Sequence, residues 1–407
     1  MHNALSENLP RLRKARDLSQ EELAAAADVG VDTVGRVERG ETRMTRPSTV
    51  AKLAKALGVS TESLLGLASA DEKRDVQGIA TLRRAITATS AIPGLSDFAE
   101  SSELEAPATL AVTAHEAWRA YVDGHHTTLL HLLPALFVDA RRLVHSTSGD
   151  DNAVAHRILS TAYRLGAGLV GRFELEDLAW TSAERALAAA RESDNIEMET
   201  AVSLRYLAWT LVRQRRTADA EQVAVRAAEQ IEPRMLDRTP ERAGVFGNLI
   251  FNAASAALRS GNEGRADDLL AIAQAVAVRA GRDSASEAAI FGPRVAAFQL
   301  IDHTMRLGDH EKALRLAERV PKAHGAVPAF WEAGHRLHLA HAASRLRQDR
   351  LALAYLAEGR RLAPDWVRRQ PLAVKTMRTL VDRAPRRRGK DFGALVAHYG
   401  VAGQCTG

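Results

Sequence analysis

A chain of 407 residues is longer than one ordinary core organises, so two or more domains are expected. Apolar residues make up 46% but aromatics only 5%, and the dominant Ala, Leu and Arg favour helices, with no alternating run of Val, Ile, Thr and aromatics to suggest a sheet. The net charge of +5 hides an even balance, ten Lys+Arg against nine Asp+Glu within residues 1–70, so bulk charge does not argue for a nucleic-acid partner. The single cysteine, Cys405, excludes an internal disulfide and a Cys-rich zinc site. With no signal-like N-terminus and no run of 18 apolar residues, a cytoplasmic protein without membrane contact is expected.

In chain order, Leu9, Leu12, Ala15 and Leu18 recur at helical spacing, with Arg11, Arg13, Lys14 and Arg16 between them. Pro10 is tolerated in a first turn, which predicts a helix starting near Asn8 or Leu9. Ser19-Gln20-Glu21-Glu22 reads as a capping box opening a helix with Leu23, Ala24 and Ala27 inward. Asp28-Val29-Gly30 is a short turn, with Asp28 suited to the left-handed region. A second short helix over 31–39 turns Val34 and Val37 inward and stops at Gly40. Ala24 is the small residue that lets the two helices cross closely, and Val29, Val34 and Val37 lock them. Pro47 then opens a helix with Val50, Leu53, Ala54 and Leu57 inward, and a shorter one starts near Ser60 with Leu64 and Leu65.

Three motifs follow in order: Leu18-Ser19-Gln20-Glu21-Glu22-Leu23-Ala24, then Val34-x-x-Val37-Glu38-Arg39-Gly40, then Leu53-Ala54-Lys55-Ala56-Leu57-Gly58-Val59. Together, over about residues 5–66, they resemble the Cro/C1-type (XRE) helix-turn-helix family of transcriptional regulators. Two positions depart from that family: Asp28 stands where Gly is usual in the turn, and Gly30 where Ser or Thr usually caps the recognition helix. The resemblance implies that the helix over 31–39 enters the major groove of double-stranded operator DNA. It sets Val31, Asp32 and Arg36 toward base edges and Thr33 near the backbone. There Arg36 suits guanine O6 and N7, Val31 a thymine methyl, and Asp32 the cytosine amine. Gln20, at the start of the first motif helix, and Arg43 and Arg46, in the loop after the second, suit phosphates. On an isolated helix the same polar residues would simply be a solvated face.

Residues 67–107 read as a linker with a helix over 71–89, broken at Ala91-Ile92-Pro93-Gly94 and followed by an acidic stretch. From 108 to 400 the chain reads as consecutive helix pairs. First helices are expected near 108–123, 152–170, 195–214, 242–260, 285–307 and 328–346. Their partners fall near 126–146, 174–192, 217–231, 263–280, 309–319 and 349–362, with a last pair over 365–383 and 390–400 and a flexible tail over 401–407. Ser260-Gly261-Asn262-Glu263-Gly264-Arg265-Ala266 parallels Leu307-Gly308-Asp309-His310-Glu311-Lys312-Ala313, with fainter copies at 215–220 and 347–352. The aligned Ala220, Ala266, Ala313 and Ala352 lie 46, 47 and 39 residues apart, and resemble tetratricopeptide repeats with lengthened helices. The fold class expected is therefore all-α: a five-helix Cro/C1-type DNA-binding domain over 1–66, then a tetratricopeptide-like α-solenoid.

First helices of such repeats line a concave groove. That places Arg205, Trp209, Asn248, Asn252, Phe298, Asp302, His338 and His341 as groove candidates, and Arg205, Trp209, Asn248, Asn252, Asp302 and His338 as a site for a peptide or small-molecule effector. The competing assignment is core packing or solvation of each residue. His335, His338 and His341 step by three around one helix without a matching acid, so no metal is expected, and no cofactor either. Arg386-Arg387-Arg388 reads as an exposed loop. No phosphate-binding Gly-rich loop, H-E-x-x-H or nucleophile elbow supports an enzyme. The function expected is a homodimeric, sequence-specific transcriptional regulator whose array senses an effector or dimerises. The alternative is an interaction scaffold with secondary DNA binding.

Overall fold

The computed structural model describes residues 4–16, 18–41, 45–59, 61–66, 70–88, 105–234, 240–383 and 390–401. Outside them lie Arg43, Ser60, Ala91–Gly94, most of 101–107, Arg386–Arg388, Cys405 and the tail beyond Val401. The described residues are helical apart from one short ribbon, and they group into two compact units, 1–77 with 339–407, and 78–338.

The first five helices are α1 (Ala4–Ala15), α2 (Gln20–Ala26), α3 (Val31–Glu38), α4 (Pro47–Leu57) and α5 (Thr61–Leu64). They surround a core in which Leu9, Leu23, Val34, Leu53, Leu57 and Leu64 are fully buried. Helix α1 begins at Ala4, not near Asn8, so Pro10 sits inside it. An interior proline costs about 3 kcal/mol. Leu5, Leu9 and Leu12 on the same helix are buried, at roughly 1.5–3 kcal/mol each, which outweighs that cost. The Ser19 capping box forms: Glu22 N–H donates to Ser19 Oγ at 3.0 Å, and Ser19 N–H to Glu22 Oε2 at 2.6 Å. Asp28 takes the left-handed conformation (φ 50°), which reverses the chain between α2 and α3. Ala24 and Val34 are buried where the two helices cross, and Val29 is half-buried.

Helix α6 (Ala70–Thr87) is followed by the pairs α7 (Pro107–Val122) and α8 (His126–Ser146), α9 (Gly149–Arg172) and α10 (Glu176–Ala190), and α11 (Ile196–Arg213) and α12 (Thr217–Gln230). Then come α13 (Pro240–Arg259) and α14 (Glu263–Ala280), and α15 (Pro293–Arg306) and α16 (His310–Ala317). The alanines aligned by the repeat are all completely buried, because a larger side chain would hold the paired helices apart. A left-handed residue ends the first helix of each pair: Gly124, Glu174, Arg215, Gly261 and Gly308 have φ between 61° and 86°. Asn262 and Asp309 then cap the second helices through Arg265 N–H and Lys312 N–H.

Residues 284–291 depart from the helix expected to begin at 285. Ser284–Ala285 (β1) pairs antiparallel with Ile290–Phe291 (β2). Pro293 has no N–H to continue a helix N-terminally, and Gly292 before it has φ 153°, so α15 starts only at Pro293. Asp283 anchors the ribbon: it is buried, and its carboxylate accepts from Arg294 N–H at 3.0 Å and His324 N–H at 3.5 Å. Phe291 packs against Phe251 and over Gly247, where a Cβ would collide with its ring.

Helices α17 (Ala329–Arg345), α18 (Asp349–Leu362), α19 (Pro364–Val367), α20 (Pro371–Arg383) and α21 (Lys390–His398) complete the described chain. The expected helix over 365–383 is two, because Pro371 starts a new one and biases Gln370 away from helical geometry. Buried Tyr399 donates to Leu356 O at 2.7 Å and closes α21 onto α18.

Candidate functional site

Helix α3 is amphipathic in a way that separates anchoring from display. Val34, Gly35 and Val37 face the core, while Val31 (42% exposed), Asp32 and Arg36 point outward and Thr33 is half-buried. Among the described residues Arg36 donates to the Asp32 carbonyl at 3.4 Å and forms no ion pair. At the C-terminal end, Glu38 joins three helices. Arg13 of α1 donates to its two oxygens at 2.6 and 2.9 Å, and Gln20 of α2 donates Nε2–H to Oε2 at 2.7 Å. Gln20 therefore turns its amide inward rather than toward the surface. Arg46 is exposed beside the first turn of α4, which Pro47 opens. Lys52 holds Asp28 at 2.7 Å, and this hydrogen bond, then the ammonium charge, lowers the Asp28 carboxyl.

In the unit 78–338 a cavity of about 330 Å³ opens along the first helices, with the ribbon as one wall. Arg205 and Trp209 of α11, Asn248 and Asn252 of α13 and Asp302 of α15 all line it. The Trp209 ring packs against Gly171, where a Cβ would come within 2.6 Å of it. The asparagine amides are already engaged: Asn248 donates to Gly244 O at 2.8 Å and Ile290 O at 3.1 Å, and Asn252 to Arg205 O at 2.9 Å. His338 is not among the lining residues but meets one of them, Asp302, at Oδ1 (3.4 Å), while Asp302 Oδ2 accepts from Arg306 at 2.8 Å. Burial pushes the Asp302 carboxyl up, but His338, Arg306 and Arg259 outweigh it and hold it below the ordinary range.

The other groove candidates go elsewhere. Phe298 is buried and stacks on His335 at 4.2 Å, and His341 meets Thr376 at 3.2 Å. His335, His338 and His341 thus each have a different neighbour. Sequence reasoning missed Arg172, Arg213, Arg259 and Arg306, which also line the cavity. Their signal is present: each lies two residues before the left-handed residue that ends its helix, at Glu174, Arg215, Gly261 and Gly308.

Residues 11–64 match the family model described as helix-turn-helix. No curated protein matches the chain. Three solved structures show distant likeness. A Podospora anserina kinesin light chain protein with nearly identical TPR-like repeats has a TM-score of 0.36 at 16% identity, covering 54% of this chain and 95% of its own. The apo competence regulator ComR of Streptococcus vestibularis gives 0.35 at 12%, covering 84% and 98%. PlcR of Bacillus thuringiensis, in complex with the peptide PapR7 and DNA, gives 0.34 at 10%, covering 87% and 99%. Likeness at that level carries no weight for function. Motif order, helix geometry and the family match agree that residues 11–64 form a helix-turn-helix domain of the Cro/C1 type, followed by an array of helix pairs.

Proposed function

We propose that the protein is a sequence-specific transcriptional regulator that reads operator DNA through α3 as a homodimer, and that its array senses an effector in the cavity around Arg205 and Trp209. The observation that carries the DNA role is the outward set Val31, Asp32 and Arg36 on a helix clamped at Glu38, inside a segment that matches the helix-turn-helix family. Such a helix presents side chains to base edges in the major groove while its neighbours rest on the backbone. The effector role is supported by the position of the cavity on the first helices, where aromatic rings and polar groups converge.

Selection of bound duplexes from a random library by the full chain, followed by fluorescence anisotropy, tests the DNA role. The expected result is an enriched pseudo-palindrome with half-sites about one helical turn apart or a multiple of it. Absence of any enriched sequence overturns it.

A further inference from the structure

The cations lining the cavity exceed the carboxylates that face them. Arg172, Arg205, Arg213, Arg259 and Arg306 stand against Glu287 and Asp302. Both acids are engaged, Glu287 with His115 at 2.7 Å and Asp302 with Arg306 at 2.8 Å, and Arg213 has Glu176 at 3.1 Å. Arg205 and Arg259 form no ion pair among the described residues, and Arg205 Nε is buried without a hydrogen-bond acceptor among them. Burial, then the charges of Arg306, Arg213 and Arg215, lowers the Arg259 guanidinium despite nearby Asp302, which marks the region as cationic.

Three of the guanidinium groups also lie over aromatic rings. Arg172 Cζ lies 5.3 Å from the Tyr121 ring centroid and 5.2 Å from that of Phe330. Arg205 lies over Tyr206 at 4.4 Å and Arg213 over Trp209 at 5.2 Å. Stacking restrains a guanidinium while its N–H groups can still meet an anion. Arg172 already donates to the Tyr121 hydroxyl at 3.0 Å and Arg213 to Glu176 at 3.1 Å, whereas Arg205 Nε is buried without an acceptor among the described residues. An arginine at a helix C-terminus needs no ligand, because the helix dipole favours it there. That accounts for Arg172, Arg213, Arg259 and Arg306 singly. It does not account for Arg205, in the middle of α11, or for the convergence of all five on one cavity.

We infer that the cavity binds a compact organic anion, with its carboxylate or phosphate held by Arg205 and Arg259 and its apolar body among the rings of Tyr206, Trp209 and Phe251; this rests on the effector-sensing role proposed above. Two observations favour a compact molecule over an extended peptide. The volume of about 330 Å³ falls at the lower end for small-molecule sites, roughly 300–1,000 Å³. Both amide N–H groups of Asn248 and one of the two of Asn252, suited to a peptide backbone, are spent on the protein's own carbonyls.

The test titrates the full chain with 1-anilinonaphthalene-8-sulfonate, and in parallel with N-phenyl-1-naphthylamine, the same rings without the anion. Saturable binding of one sulfonate probe per chain is expected, with the neutral probe about tenfold weaker or worse. Arg205→Met and Arg259→Gln are each expected to weaken the sulfonate probe about tenfold and to leave the neutral probe within about twofold. Circular dichroism checks that each variant folds. Arg259 ends α13 and keeps part of its side chain in solvent, so its variant keeps the test readable if Arg205→Met does not fold. Displacement by benzoate or by phenyl phosphate supports the inference and tells carboxylate from phosphate, while displacement only by a heptapeptide with a free C-terminus overturns it. If both probes bind alike and both variants are silent, the anion claim falls and effector sensing survives. If no probe or competitor binds, both fall.

Discussion

Removing the Glu38 carboxylate is expected to loosen the helix-turn-helix from within. Glu38 accepts two hydrogen bonds from Arg13 and one from Gln20, and the Arg13 and Glu38 side chains are only 13% and 8% exposed. A solvated pair would contribute about 0–1 kcal/mol. Removing one partner of a buried pair costs about 3–5 kcal/mol, because the other charge is left uncompensated. The residual exposure trims this to about 2–4 kcal/mol for Glu38→Met. A chain of two compact units is not expected to unfold in one two-state step, so the measurement is native-state hydrogen exchange on peptides covering α2 and α3. At about 1.4 kcal/mol per tenfold, their exchange is expected to quicken roughly 30- to 1,000-fold. The double change Arg13→Met with Glu38→Met should recover part of the loss, since no buried charge then lacks a partner. Exchange that quickens less than about fivefold, or a double variant no better than the single one, would refute the reasoning.

On a cognate operator, Arg36→Ala is expected to cost about 1–3 kcal/mol and relax one base position, whereas Arg46→Ala should weaken all sequences alike and lower the salt slope by about 1; equal effects on every sequence from Arg36→Ala would remove it from base reading. Light scattering at micromolar concentration is expected to give a dimer, because one such module spans too few base pairs for genomic specificity; a monomer on a single asymmetric half-site counts against it. Burial, then Arg336, His338 and Arg294, pushes His335 down to about 2, so below about pH 6.5 the unfolded chain takes up a proton that the folded one refuses. Stability of its unit should then fall by up to about 1.4 kcal/mol per pH unit on acidification, and His335→Phe, keeping the stack on Phe298, should flatten that slope in melts from pH 7.5 to 5. Gly247→Ala drives a methyl into the Phe291 ring and is expected to cost about 1–3 kcal/mol in thermal denaturation; a neutral result would mean the ribbon is not seated on α13.

Much of the fold was legible because its signals act over a few residues. The Ser19 box, left-handed Asp28, Pro47 opening α4 and Gly58 (φ 61°) closing it each work within one turn of chain, so the domain's helix-turn-helix could be read without its neighbours. The helix pairs were readable for the same reason, from Gly261-Asn262 and Gly308-Asp309. Glu174 and Arg215 occupy the same left-handed position without glycine, and the packed pairs on either side are what hold them there. The early start of α1 likewise depends on burial of Leu5, which only the assembled core supplies.

Side-chain partners belong to the tertiary structure. Gln20, Asn248 and Asn252 carry free amides on paper, and packing hands them to Glu38, Gly244, Ile290 and Arg205. The arginine rows show the division most clearly. Their spacing before each helix end is written in the sequence, but their convergence on one cavity depends on how successive pairs stack and turn. Helix propensity and capping are fixed by neighbours along the chain, whereas a cationic cavity is made by groups tens to more than a hundred residues apart, whose meeting depends on packing that no local signal specifies.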